Sequence, residues 1–197
     1  MAKQKILKKK ILILNGSPQG PRSNSRILIQ KLIKELGAGV QTKCVHLAQK
    51  NYSQSLKTQI IAADGLIFVS GTYWDSWGSP LQEFLEKATS LEGTKAVVGK
   101  PCTVFILMHS VGGKSVLSRL QGVLSTLGFL IPPMSGMVYS SLSHRISKSS
   151  PKKVDEDIWH LNDVKLILSN LKLSLEIQKD WACWPVDRKN FERLWLK

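Results

Sequence analysis

Ser17, Arg22, Ser23, Asn24 and Ser25 place three hydroxyls, one amide and one guanidinium in a short stretch directly after the apolar run Ile11–Leu14. Such a set can grip an anion if a strand delivers it and a helix begins beneath it. The backbone N–H groups, the side-chain donors and the positive end of the helix then converge on one point. Gly16 and Gly20 ease the steric limits where the chain must turn. The plainer reading of the same residues is a βα turn with a Ser or Asn helix cap.

Two further clusters stand in equivalent positions. Thr72, Tyr73, Trp74 and Asp75 follow the apolar run Leu66–Ser70. An aromatic side chain past the end of a buried strand needs cover. A flat conjugated ligand supplies it by stacking, as does packing of Tyr73, Trp74 and Trp77 beneath their own loop. Ser110, Val111, Gly112 and Gly113 follow the run Thr103–Met108, and the paired glycines allow backbone to approach a flat ligand closely. The continuation Gly113-Lys114-Ser115 nearly completes a nucleotide phosphate loop. Met108 stands where that motif needs glycine, which argues against a nucleoside triphosphatase. His109 at the strand end suits either a proton relay or a structural role. His46, His144 and His160 have no ligand spacing, and no metal site is expected.

The elements that must carry these loops alternate. Strands are expected at Ile11–Leu14, Val40–Leu47, Leu66–Ser70, Thr103–Met108 and Met137–Tyr139. Helices are expected at Ser23–Leu36 and Ser55–Ala63, from Ser79 to Ala88, at Lys114–Leu127 and at Asp155–Leu175, with a Ser- and Lys-rich loop over Ser140–Lys153. Ile33, Ile61 and Val123 are counted on the inward sides of their helices. Ser79 reads as a cap, with Pro80 at the first helical position and Gln82 completing a capping box. The alternation predicts a parallel sheet covered by helices on both faces, with strand order 2-1-3-4-5. In such sheets ligands bind beyond the strands' C-terminal ends, where the order reverses. That rule selects the three loops above.

The chain has 197 residues and a formal charge of +14. Residues 1–63 hold twelve Lys/Arg against the single acid Glu35, whereas residues 64–142 hold five of each sign. The positive half is the half with the anion loop, and its field favours phosphate-bearing small molecules. Five of those lysines lie in residues 1–10, a basic terminal segment. There is no zinc-finger spacing and no RNA-binding aromatic motif, so nucleic acid is the weaker alternative. No apolar run approaches the roughly 20 residues that cross a bilayer, and no secretory signal is read at the start. Cys44, Cys102 and Cys183 form no disulfide framework, which predicts a reducing, cytoplasmic setting. Cys102 reads as a small buried hydrophobe.

Residues 11–28 resemble the GSPR-x-x-SN-type loop of flavodoxin-like, NADPH-dependent FMN and quinone reductases. Residues 66–85, LIFVSGTYWDSWGSPLQEFL, resemble the second FMN loop of the same family. The resemblance spans about residues 10–140. It implies a flavodoxin-like three-layer sandwich over residues 1–197, with an aromatic tail over 179–197 holding Trp181, Trp184 and Trp195. By the same resemblance Ser17, Arg22, Ser23, Asn24 and Ser25 surround an FMN phosphate. Thr72, Tyr73, Trp74 and Asp75 flank the isoalloxazine, and Ser110, Val111, Gly112 and Gly113 approach its other edge. Hydride would pass from NADPH or NADH through flavin N5 to a quinone, free flavin, azo compound or similar acceptor, with no catalytic side chain required. A homodimer or homotetramer is implied, the tail docking on its own core or on a second subunit. Two departures stand out: Gly71 replaces the family's usual proline, and Gln19 stands where Arg or Lys is common. The alternatives left open are an FMN electron carrier and a non-enzymatic binding protein on the same fold.

Overall fold

Runs of Ile, Leu, Val and Phe too short for helices form the central strands of a sheet, buried on both faces there, with the more polar Val40–His46 strand at one edge. The computed structural model describes residues 8–50, 52–140, 159–177 and 179–184. Its strands are β1 (Lys9–Asn15), β2 (Val40–His46), β3 (Gly65–Gly71), β4 (Cys102–Met108) and β5 (Gly136–Ser140). They form one sheet in the order β2-β1-β3-β4-β5, every neighbouring pair parallel. This is the flavodoxin-like order the sequence predicts.

The helices are α1 (Ser25–Leu36), α2 (Gln54–Ala62), α3 (Ser79–Ala88), α4 (Gly113–Leu127) and α5 (Val164–Ser174). Alternation along each strand sorts the core into two layers. Ile11 and Ile13 of β1, Ile67 and Val69 of β3, and Phe105 of β4 pack with α1 and α5. Leu12 and Leu14 of β1, Leu66 and Phe68 of β3, and Val104 and Ile106 of β4 pack with α2, α3 and α4. Phe68 anchors the second layer, edge-on to Phe129 at 5.7 Å and tilted to Phe84 at 6.2 Å.

Three lysines from distant parts of the chain hold carbonyls at helix C-termini. Lys172 Nζ donates to Glu35 O at the end of α1, at 3.3 Å. Lys100 Nζ donates to Ile60 O and Ile61 O at the end of α2, at 2.5 and 3.2 Å. Lys9 Nζ donates to Leu175 O beyond α5, at 3.1 Å. Cations belong at the negative end of the helix dipole, so part of the basic surplus has a structural use. Burial of Lys100 pushes its pKa down to about 8, while nearby Asp64 opposes that shift.

Local departures from the sequence reading have plain causes. Ile33, Ile61 and Val123 are 43%, 52% and 37% exposed. Each lies one residue from a buried stripe, and one residue on a helix turns the side chain by about 100°. α1 begins at Ser25 because Gly20–Arg22 first makes a 3-10 turn. Gly78, not Ser79, caps α3, and its carbonyl accepts from Leu81 N and Gln82 N. Gln82 is drawn away from a capping box by the Trp77 indole, whose Nε1 donates to Gln82 Oε1 at 2.8 Å. The last helix starts at Val164, with Asp163 Oδ2 accepting the His160 N–H at 2.7 Å in a preceding turn. The earlier part of that expected helix, residues 155–158, lies outside the described residues, as do residues 1–7, residues 141–153 of the expected loop, and Trp195.

The described part of the tail docks on its own chain. Trp181 lies against Gly99, Cys183 Sγ meets Gly93 O at 3.5 Å, and Trp184 Nε1 donates to Glu92 Oε1 at 3.0 Å. Together with Ser125–Ile131 these residues enclose a groove of about 360 Å³. Among the described residues no helix is long and apolar enough to cross a membrane. The three thiols are free but differently sheltered. Cys183 is exposed, Cys44 is half-buried with its pKa pushed up to about 11, and burial also pushes the fully buried Cys102 thiol up. Thiolate is the reactive form. A native thiol titration is therefore expected to show Cys183 reacting first, Cys44 slowly and Cys102 only on unfolding. Early reaction of Cys102 would contradict the packing of β4.

Candidate functional site

The loop after β1 is built around one buried amide. Asn15 is fully buried at the end of β1. Its Oδ1 accepts Ser17 N at 3.2 Å and Ser25 Oγ at 3.1 Å, and its Nδ2 donates to Gly20 O at 3.0 Å. One side chain thus ties both limbs of the loop and the first residue of α1 together. The loop closes on itself through Gly20 N to Ser17 O at 2.9 Å. Ser23 Oγ donates to Gly20 O at 2.6 Å and lies against Ser25 Oγ. No side chain caps α1. Among the described residues no acceptor meets the N–H groups of Gln19, Asn24 and Ser25. The bland cap reading therefore does not describe these residues, and the donors remain available to an anion.

The loop after β3 is a two-residue hairpin. Tyr73 N donates to Ser76 O at 2.8 Å and Ser76 N to Tyr73 O at 3.0 Å. Trp74 and Asp75 at its tip have φ of 48° and 56°. Positive φ at both central residues is the type I′ geometry that matches strand twist, normally with Asn, Asp or Gly. A bulky residue in that region costs about 1–3 kcal/mol, and such strain gathers at ligand sites. Trp74 is fully exposed. Tyr73 instead folds back, and its hydroxyl lies 3.0 Å from Ser17 Oγ, joining the second loop to the first. A Cβ on Gly71 would come within 2.9 Å of the Tyr73 ring, so glycine at this position is what admits the folded ring. Trp77 packs against the core, as the plainer reading of that aromatic requires.

Contacts at the bases of the loops fix their spacing. Gly78 N donates to Ser70 Oγ at 2.9 Å, and Gly16 N to Val69 O at 2.8 Å. A Cβ on Gly78 would overlap the Gly16 carbonyl oxygen and lie 2.8 Å from Pro18 Cδ. The third loop enters α4 through Gly112, whose φ is 84°, and a Cβ there would overlap Asp75 Oδ1. Arg119 of α4 donates to Asp75 O and sits 5.8 Å over the Trp77 ring, holding the hairpin against α4.

Between the three loops lies a cleft of about 520 Å³. Ser17, Ser23, Asn24 and Ser25 line it from the first loop, Thr72 and Tyr73 from the second. Arg22 lies on the exposed side of the first loop, and Trp74, Asp75, Ser110, Val111, Gly112 and Gly113 do not line the cleft. The remaining lining is Gln19, Ile27, Gly71, Leu107, Met108, His109 and Tyr139, of which the sequence reading weighed a chemical role for His109 alone. Most continue the loops already chosen. Tyr139 ends β5, and applying the strand-end rule to that last strand would have found it. Thr72 Oγ1 is buried with no hydrogen-bond partner, although Thr72 N is held by Leu107 O at 2.7 Å. A buried hydroxyl without a partner is costly in isolation and marks a place for a ligand atom or water. Among the described residues no cluster of His, Cys, Asp or Glu could hold a metal.

Since backbone cannot yield where Gly78 meets Gly16, Gly78→Ala is expected to lower unfolding free energy by about 1–3 kcal/mol. Denaturant unfolding checks this, and an unchanged midpoint would mean that the loops are not in close contact.

The sequence profile of the NADPH-dependent FMN reductases matches residues 9–141. No curated protein matches the chain by sequence. Several solved structures share the fold at low identity. An NADH:FMN oxidoreductase (EMOB) in apo form is 18% identical with a TM-score of 0.68, covering 87% of this chain and 92% of that one. RosB, solved with bound 8-demethyl-8-formylriboflavin-5'-phosphate, is 16% identical with a TM-score of 0.63 and 94% coverage of each chain. FerB, an NAD(P)H:(acceptor) oxidoreductase from Paracoccus denitrificans, is 17% identical with a TM-score of 0.60, covering 84% of this chain and 98% of that one. With two thirds of its length matched by one family profile, and that stretch carrying all three cleft-forming loops, the chain belongs to the NADPH-dependent FMN reductase family.

Proposed function

We propose that the cleft binds FMN without a covalent bond, and that the protein is an oxidoreductase using NADPH or NADH to reduce a small acceptor such as a quinone, free flavin or azo compound. The observation that carries this reading is a set of polar groups left without partners on one cleft. The N–H groups of Gln19, Asn24 and Ser25 and the buried Thr72 Oγ1 all belong to lining residues. The cleft volume falls within the roughly 300–1,000 Å³ typical of small-molecule pockets. The residues present therefore fit a phosphorylated, flat ligand.

Ser17, Ser23, Asn24 and Ser25 would hold the phosphate, supported by the N-terminal end of α1. Thr72 and Tyr73 would meet the ring system, while Trp74, Asp75 and Ser110–Gly113, which do not line the cleft, would reach the ring only from its rim. When bound, FMN supplies hydride acceptance from the nicotinamide and hydride delivery to the acceptor. The chain's own part is to orient the ligand, limit water and hold polar groups at fixed distances. His109, exposed at the end of β4, lines the cleft and is available for proton exchange. The excess of positive charge over residues 1–63 supports NADPH over NADH, because of its additional phosphate. The exposed Trp74 and Val111 near the three loops support a homodimer or homotetramer in which a second copy covers them. The free thiols suit a reducing cytoplasm.

The protein, mixed with FMN and freed of excess, is expected to retain a flavin absorbance band that bleaches on anaerobic addition of NADPH. A band that persists would favour an electron carrier, and no band would refute the reading. Sequence alone suggests that Arg22 makes a strong charge-assisted contact with phosphate. Its exposed position reduces that to the 0.2–1 kcal/mol of a solvated charge pair. Arg22→Ala is thus expected to weaken FMN by up to about fivefold and leave riboflavin unchanged. Equal losses for the two ligands would place Arg22 away from the phosphate.

A further inference from the structure

His46 ends the edge strand β2, in register with Asn15 of β1, and is half-buried. Its Nδ1 lies 2.9 Å from Asn15 Nδ2. Heavy-atom positions alone leave a histidine tautomer open, but two backbone groups decide this one. Ser17 N can only donate, so the Asn15 atom facing it is the carbonyl Oδ1. Gly20 O can only accept, so the Asn15 atom facing it is the amide Nδ2. The second hydrogen of Nδ2 then points to His46, whose Nδ1 must offer a lone pair. The imidazole is neutral with its proton on Nε2. Burial, which lowers the pKa of His46, favours that neutral form.

This bond completes the hydrogen bonding of the Asn15 amide. Both N–H groups are used, and Oδ1 takes both Ser17 N and Ser25 Oγ. The amide thus has one orientation in which every partner is satisfied, and the orientation holds the first loop's two limbs and the start of α1. Through this bond the imidazole acts on the anion loop by way of Asn15.

We propose that His46 is a positioning residue for cofactor binding: its unprotonated Nδ1 locks the Asn15 amide and so presets the loop that grips the FMN phosphate. The proposal rests on the FMN reading of the cleft. It predicts a requirement for an acceptor at one atomic position. An asparagine at 46 puts its Oδ1 where Nδ1 stands, whereas a glutamine carries its carbonyl oxygen one bond farther out, near the position of Nε2.

The test is to titrate FMN and riboflavin by flavin fluorescence into wild type, His46→Asn, His46→Gln and His46→Leu, and to record imidazole ¹⁵N shifts of the ligand-free wild type. His46→Asn is expected to bind FMN within about twofold of wild type, while His46→Gln and His46→Leu lose about tenfold, the loss expected for a buried donor left unpaired. Riboflavin, lacking the phosphate, is expected to change by less than about twofold in every variant. The ¹⁵N shifts are expected to show an unprotonated Nδ1 at neutral pH. Equal FMN affinity in the Asn and Leu variants, a parallel fall for riboflavin, or a protonated Nδ1 would overturn the proposal. The tautomer measurement needs no ligand and no substitution, so it stands even if His46→Leu does not fold. Wild type that binds no FMN would overturn the cleft reading and this proposal with it; wild type that binds while the variants fail the pattern would overturn only the role of His46.

Discussion

Parallel pairing of β1 with both β2 and β3 is the constraint on which this molecule depends. β1 has a strand on each side, so the chain leaves its C-terminal end toward one face and returns at β3 from the other. No crossover covers the gap above that reversal. Burial on both faces makes β1 and β3 immovable: Ile13, Leu14, Ile67, Phe68 and Val69 are all fully buried. Loops rooted on such strands inherit fixed starting points, which is how polar segments can be held in place without a core of their own.

From that base the loops secure one another. Tyr73 reaches the first loop through Ser17, Gly78 meets Gly16 backbone to backbone, and Asp75 meets the third loop at Gly112. Arg119 adds a clamp from α4. The strained Trp74–Asp75 tip is tolerable because hydrogen bonds close the hairpin beneath it and Arg119 ties it to a helix. Asn15 does for the first loop what Arg119 does for the second, except that its network is buried. A buried network is stringent, since every unmet bond carries a desolvation cost.

Charge also divides between roles that composition cannot separate. Lys9, Lys100 and Lys172 hold helix ends. Arg119 positions a loop. Arg22, which by residue type suits a phosphate ligand, stands on the exposed side of its turn. A net charge therefore overstates how much positive potential serves the site. Placement against helix ends or solvent decides each case.

Period and punctuation determined much of this protein. Four apolar runs, the mixed segment Val40–Leu47 and the intervening helical stripes dictated strand number, parallel pairing and strand order, because few topologies satisfy right-handed crossovers. The same rules located the three loops; residue chemistry singled out Ser17, Ser23, Asn24, Ser25 and Tyr73, the family resemblance added Thr72, and these six line the cleft. Only the tertiary structure could separate neighbours of similar type. Tyr73 turns into the cleft while Trp74 faces water, because a hairpin with two positive φ angles sends adjacent side chains different ways. Ile29 is buried and Ile33 exposed although both are isoleucine, because the inward stripe of α1 runs through Leu28, Leu32 and Leu36 and Ile33 stands one residue off it. Asn15 and His46, 31 residues apart, meet only through strand register. Local sequence carries the energetics of elements; which atoms face one another across elements depends on packing, and that interaction is non-local.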